Sequence, residues 1–177
     1  MFVEDKTNEV LHLYDVYSNR VLKFIYMITN DYHKAEDLTH DTFLKVSNSL
    51  HKINNKEKIE TWIFQVAHNT TIDYIRRNQF NILEHLKLHV REKEVTPSTE
   101  SIMIINENFK ELYNALRKLK PTYREVIVLR KIEELSIKET GEILGWSDSK
   151  VKSTLSRALK ALHKELTEGG FVYEKLS

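Results

Sequence analysis

The sequence predicts an all-α protein of two small helical domains joined by a linker, the C-terminal one built around a helix-turn-helix. Three observations predict it. Only 4 glycines and 2 prolines occur in 177 residues, too few for the tight turns that sheet proteins need. Apolar residues recur in steps of three and four along most of the chain, the period of a helix buried on one side. Finally, the segment Ser136–Leu162 joins two such helices through a short turn containing Gly145.

The elements follow in order. Val10, Leu13, Tyr14, Tyr17, Val21, Phe24, Ile25 and Ile28 form one stripe, predicting a helix over residues 9–29 that Asn30-Asp31 breaks or caps. A second helix is expected over 33–50, with Leu38, Phe43, Val46 and Leu50 on its apolar side, and a polar loop over His51–Glu57. The third runs from Glu60 to Arg77, with Ile59, Trp62, Ile63, Val66, Ala67, Thr70 and Tyr74 on or near its inner face. The pattern then weakens. Val95-Thr96-Pro97-Ser98-Thr99 reads as a turn or flexible linker, although a helix can persist through 81–93. The domains are therefore set at 1–80 and 106–177, with 81–105 as linker. Ile105, Phe109, Leu112, Leu116 and Leu119 restore the period up to Pro121, which opens the next helix because proline suits the first helical position. That helix carries Tyr123, Val126, Ile127 and Arg130, and two more follow over 137–144 and 148–166.

Ser136-Ile137-Lys138-Glu139 has the form of a capping box, which starts a helix at Ile137. Gly145 ends that helix, because glycine tolerates the left-handed conformation of a helix stop, and Ser147 caps the next. On the last helix Val151, Leu155, Ala158 and Leu162 lie on one side, and Lys152, Ser153, Ser156, Arg157 and Lys160 on the other. Lys150 to Lys164 contains five basic residues and no acidic one. A single basic helix is more often a solvated face. The capped helix and glycine turn before it shift the balance to duplex DNA, whose major groove such a face fits.

Composition narrows the function classes. Hydrophobic residues make up 41% and charged residues 30%, as in a globular protein. With no cysteine there is no disulfide framework, thiolate zinc site or cysteine nucleophile. No apolar run is long enough to span a bilayer, and Met1–Lys6, with Glu4 and Asp5, does not read as a signal peptide. The net charge of +1 says little about a nucleic-acid partner, so the distribution of charge decides. Gly-rich phosphate loops, H-E-x-x-H and G-x-S-x-G are absent, which argues against an enzyme. His85 and His89 are spaced as a metal pair on a helix, but only Glu84 stands near as a companion, so neither metal nor cofactor is expected.

At these residues a family resemblance enters. Tyr123–Arg130, Leu135–Thr140, Glu142–Gly145 and Val151-Lys152-Ser153 resemble the fourth conserved region of extracytoplasmic-function (ECF) sigma factors of the sigma-70 family. Ala35–Phe43 resembles that family's core-polymerase-binding segment, and Thr61–Asn69 with Ile72–Arg77 its promoter-melting helix. The resemblance spans residues 9–166, with a likeness inside the family to the Bacillus sigma-X type. It implies a transcription initiation factor that binds RNA polymerase core at the clamp of the large subunit and directs it to promoter DNA. It implies core-binding roles for Glu36, Asp37, His40 and Asp41, with His40 where the family commonly has Gln. It implies contact with the single-stranded -10 element by Asn69, Asp73, Arg76 and Arg77, Asn69 lying at the pocket for a flipped base, where an amide offers both donor and acceptor. Trp62 and Phe64 are also aromatic there, but their spacing suits the core, the reading favoured for Trp62. The resemblance further implies contact with the duplex -35 element by Lys152, Ser153, Ser156, Arg157 and Lys160. Lys152 stands where the family often has Arg and Ser156 where it often has an aromatic; lysine lacks the forked contact of arginine. An anti-sigma factor, membrane-anchored in many family members, is an implied partner, with a cytoplasmic location. The rival is a helix-turn-helix regulator whose N-terminal half binds a ligand or dimerises.

Overall fold

The computed structural model describes residues 2–53, 55–85 and 107–168, and the side chains of 7–53, 55–79 and 111–168 within them. The chain divides into two compact units, Met1–Thr96 and Pro97–Ser177. The described residues of the first form α1 (Phe2–Thr29), α2 (Tyr32–Ser49) and α3 (Ile59–His85), with single 3-10 turns at Leu50–Lys52 and Lys56–Lys58. Those of the second form α4 (Glu107–Lys118), α5 (Pro121–Ile127), α6 (Ile137–Leu144) and α7 (Asp148–Glu168).

In the first unit the three helices pack pairwise. Asn30 ends α1 in the left-handed region (φ 54), which asparagine tolerates, and its N–H returns to the Tyr26 carbonyl at 2.8 Å. Asp31 then caps α2, its Oδ1 accepting from the Lys34 N–H at 3.0 Å. The core holds the expected Val21, Phe24, Ile25, Ile28, Leu38, Phe43, Val46, Ile63 and Ala67. Phe64 joins it, edge-on to Phe24 at 5.5 Å, while Trp62 is only half-buried. Each large apolar side chain so buried contributes about 1.5–3 kcal/mol against the entropy of ordering it. Three buried threonines, which the stripes did not include, satisfy their hydroxyls within their own helices: Thr39 to Ala35 O (2.7 Å), Thr42 to Leu38 O (2.7 Å) and Thr71 to Ala67 O (2.8 Å). Arg20 ties α1 to α3. It is paired with Glu60 and lies over the rings of Tyr17 (5.4 Å) and Phe64 (5.5 Å). Burial holds the Tyr17 phenol above its ordinary pKa, the Glu60 carboxylate adding to the rise and the Arg20 guanidinium opposing it.

α3 runs past Arg77 into the expected linker as far as His85, since neither glycine nor proline occurs between them to stop it. The rest of the 81–105 linker, with His89, lies outside the described residues.

In the second unit Pro121 stands at the first position of α5, as expected. The last turn of α5 and the start of the turn after it are buried together: Arg124, Glu125, Val126, Ile127, Val128 and Leu129 are consecutively inside, while Pro121 and Thr122 stay exposed. Burial lowers the pKa of Arg124, the neighbouring Glu125 opposing that shift. The Arg124 guanidinium donates to the Arg117 carbonyl at the end of α4 (3.2 Å). The helix widens into a π turn over Val128–Ile132, closed by the Glu133 N–H on Val128 O (2.9 Å). Leu135 N–H then reaches Leu129 O (3.0 Å), and the Arg130 guanidinium donates to the Leu135 carbonyl. α7 packs against α4, α5 and α6.

Candidate functional surfaces

The helix-turn-helix is built by local chemistry. Ser136 and Glu139 form the reciprocal capping box of α6, Glu139 N–H to Ser136 Oγ at 3.1 Å and Ser136 N–H to Glu139 Oε2 at 2.7 Å. Gly145 closes α6 in the left-handed region (φ 68, ψ 35), and the Trp146 N–H bonds the Gly141 carbonyl at 2.9 Å. Gly141 lets that turn lie close: a Cβ there would stand 2.6 Å from the Trp146 carbonyl oxygen. Ser147 starts α7, its Oγ accepting from the Lys150 N–H at 3.3 Å.

α7 has two distinct arcs. Val151, Thr154, Ala158, Leu162 and Leu166 are buried, and Leu155 is half-buried. Lys152, Ser153, Ser156, Arg157 and Lys160 are all exposed on the opposite side. Ser153 Oγ donates to the Lys150 carbonyl (3.3 Å) and Arg157 Nε to the Ser153 carbonyl (3.2 Å), so the guanidinium lies along the exposed arc. A helix of this width with short serines between long cations can approach a duplex groove and reach the phosphates beside it.

On α3, Asn69, Asp73, Arg76 and Arg77 are exposed in steps of four, three and one, which places them on one face. Arg76 pairs loosely with Asp73 (3.9 Å). The face carries an amide, a carboxylate acceptor and two guanidinium groups, a set suited to base edges and phosphates. Lys45 of α2 reaches its margin, its Nζ donating to the buried Thr70 at 3.0 Å. Periodicity did not single out Lys45, because this contact joins residues 25 apart in sequence.

On α2, Glu36, Asp37, His40 and Asp41 are exposed and line one open groove of about 540 Å³ with Lys34, Leu38 and Tyr74. Lys34 holds Asp37 (3.4 Å) and lies over the Tyr74 ring (5.0 Å), while His33 stands 3.7 Å from Glu36. Three carboxylates around an aromatic wall suit a cationic partner surface. Among the described residues no cluster of His, Asp and Glu has the arrangement of a metal site, and no helix is long and apolar enough to cross a membrane.

The two units match known protein families in order along the chain. Residues 13–81 match the family described as sigma-70 region 2, and residues 109–162 that described as sigma-70, region 4. The chain is 34% identical over 157 residues to the RNA polymerase sigma factor YlaC of Bacillus subtilis, covering 88% of this chain and 91% of that one. It is 32% identical over 160 residues to the ECF RNA polymerase sigma factor SigX of the same organism, covering 87% and 81%. In fold it is similar to the sigma factor RpoE solved with the anti-sigma factor NepR from Bartonella quintana (TM-score 0.75, 21% identity, 93% of this chain and 98% of that one). It is also similar to CnrH solved with the cytosolic domain of CnrY (TM-score 0.65, 20% identity, 92% and 90%). An all-helical pair of units carrying sigma-70 regions 2 and 4 defines a promoter-specificity factor. This chain belongs to the ECF family of RNA polymerase sigma factors, and as a sigma factor it directs RNA polymerase to promoters. The region 2 match accounts for the N-terminal half that the rival regulator would have given to ligand binding or dimerisation.

Proposed function

We propose that the three surfaces divide the work of initiation. The acidic groove of α2, with Glu36, Asp37, His40 and Asp41, docks on the clamp of core polymerase. The α3 face, with Asn69, Asp73, Arg76 and Arg77, holds the opened -10 strand, Asn69 taking the edge of an unstacked base. The outer arc of α7, with Lys152, Ser153, Ser156, Arg157 and Lys160, lies on the -35 duplex. The observation that carries this reading is the separation of charge: carboxylates gather on α2, whereas the outer arc of α7 carries cations and hydroxyls alone. Complementary charge orients encounters and suppresses wrong partners.

Two small DNA-binding surfaces on separate units gain affinity together only when something holds them at the promoter's spacing. Core polymerase supplies that frame, so the free chain binds promoters weakly. The fold relative RpoE, captured with the anti-sigma factor NepR, supports an anti-sigma partner for this chain, and CnrH, captured with the cytosolic domain of CnrY, supports action in the cytoplasm. The deciding test is run-off transcription from a random promoter pool with core polymerase, with and without the chain. Initiation at a common sequence only when the chain is present is the expected result. Failure of the chain to associate with core, or to start RNA synthesis anywhere, overturns the proposal.

A further inference from the structure

The two capped helices of the helix-turn-helix differ at one position in a way that helix stability does not explain. Both begin with serine. Three residues on, α6 has Glu139 and α7 has Lys150. Glu139 returns a bond to the cap N–H and sits favourably at the positive end of the helix. Lys150 can do neither. Its ammonium cannot accept the bond, and a cation in the first turn opposes the helix dipole.

Lys150 is nonetheless held in place. Its Nζ lies 4.4 Å from the centroid of the Trp146 ring, an aromatic partner rather than a carboxylate. Trp146 is itself fixed by its backbone, through its N–H on Gly141 O and the close approach of its carbonyl to Gly141. A ring neutralises no charge, so the ammonium keeps its attraction for an anion while losing rotamer freedom before any anion arrives. Lys150 is exposed, and it precedes the exposed Arg157 by seven residues, two helical turns or about 10.5 Å along the same edge of α7.

We infer that Lys150, positioned by Trp146, is a further promoter contact of α7, gripping a backbone phosphate on the flank of the -35 duplex without reading a base. The inference deepens the proposed role of α7 and rests on it. Lys150 makes the contact; Trp146 is a positioning residue.

The test uses holoenzyme assembled from core polymerase and the full-length chain, on a duplex fragment that the wild-type holoenzyme selects from a random pool. Lys150→Gln weakens binding about tenfold, equally on fragments with intact and substituted -35 elements, and flattens the log–log salt slope by about 0.9. Lys150→Arg retains both values. Trp146→Leu, in protein shown by circular dichroism to be folded, weakens binding about threefold and leaves the slope unchanged, because the cation remains. Lys150→Glu completes the capping box, so it raises the urea midpoint of the second unit while binding more weakly than Lys150→Gln. An unaltered slope in Lys150→Gln, or a loss confined to intact -35 elements, overturns the inference while leaving the proposed function standing. Wild-type holoenzyme that starts RNA synthesis nowhere overturns the proposed function first, and this inference with it.

Discussion

Replacing Gly145 with alanine isolates the backbone contribution of the turn that aims α7. Gly145 sits at φ 68 and ψ 35, inside the left-handed region, and a Cβ added there meets nothing within 4 Å. Steric collision therefore adds nothing, and the whole effect is conformational. An L-residue in this region costs about 1–2 kcal/mol. Alanine also restricts the unfolded chain, which offsets about 0.4–1 kcal/mol. The net loss is about 1 kcal/mol, a fall in melting temperature of about 4–8 °C for a unit of this size. The chain has 2 tryptophans, Trp62 in the first unit and Trp146 beside Gly145. In a Trp62→Phe background, fluorescence during urea unfolding thus reports the second unit alone. Gly145→Asn, which tolerates the left-handed region better, is expected to fall between wild type and alanine. An unchanged midpoint for Gly145→Ala, or equal losses for alanine and asparagine, would refute the reasoning.

Three further outcomes are expected. Arg157→Ala lowers transcription from promoters with an intact -35 element and flattens the salt slope of holoenzyme binding by about 0.9, read by filter binding across a salt series. Asn69→Ala leaves closed-complex affinity near wild type but depresses open-complex formation, followed by permanganate reactivity of unpaired thymines; undiminished opening removes Asn69 from the site. The third concerns pH. Because the folded state raises the pKa of Tyr17, the unfolded chain loses this proton first as pH climbs. The stabilising contribution is whole below pH of about 10, the ordinary tyrosine value, and is lost as pH rises above it toward the folded pKa. Urea unfolding of the first unit between pH 9 and pH 11 (about one unit on each side) therefore shows a steeper loss in wild type than in Tyr17→Phe.

Local signals made the helix-turn-helix legible in the sequence. A cap, a stop glycine and a second cap act over five residues or fewer, so their chemistry is written beside the residues it controls. The outer arc of α7 followed by elimination once its apolar stripe was drawn. The start of α5 at Pro121 was equally legible, but the burial at its end was not. Six neighbouring residues buried together have no period, and two of them, Arg124 and Glu125, are charged. Their burial is decided by helices packed around them. The π turn after α5 likewise lacks a local cue, being closed by contacts with Glu133 and Leu135 beyond it. Asn69, Asp73, Arg76 and Arg77, which the resemblance and not periodicity had singled out, are exposed together on one face of α3. The Lys45–Thr70 bond and the Lys34–Tyr74 contact did not emerge, because they join side chains from different helices. Thr154, which the sequence reading assigned to neither arc of α7, is buried with the apolar side.

The two arcs of α7 have an evolutionary consequence. The buried arc holds the unit together, and the outer arc bears almost none of that burden. Substitutions among Lys152, Ser153, Ser156, Arg157 and Lys160 are therefore nearly free to accumulate without endangering the fold. If that arc reads the promoter as proposed, sister proteins with the same scaffold can, after gene duplication, drift toward different target sequences one letter at a time, each intermediate still folded and still able to compete for the shared enzyme.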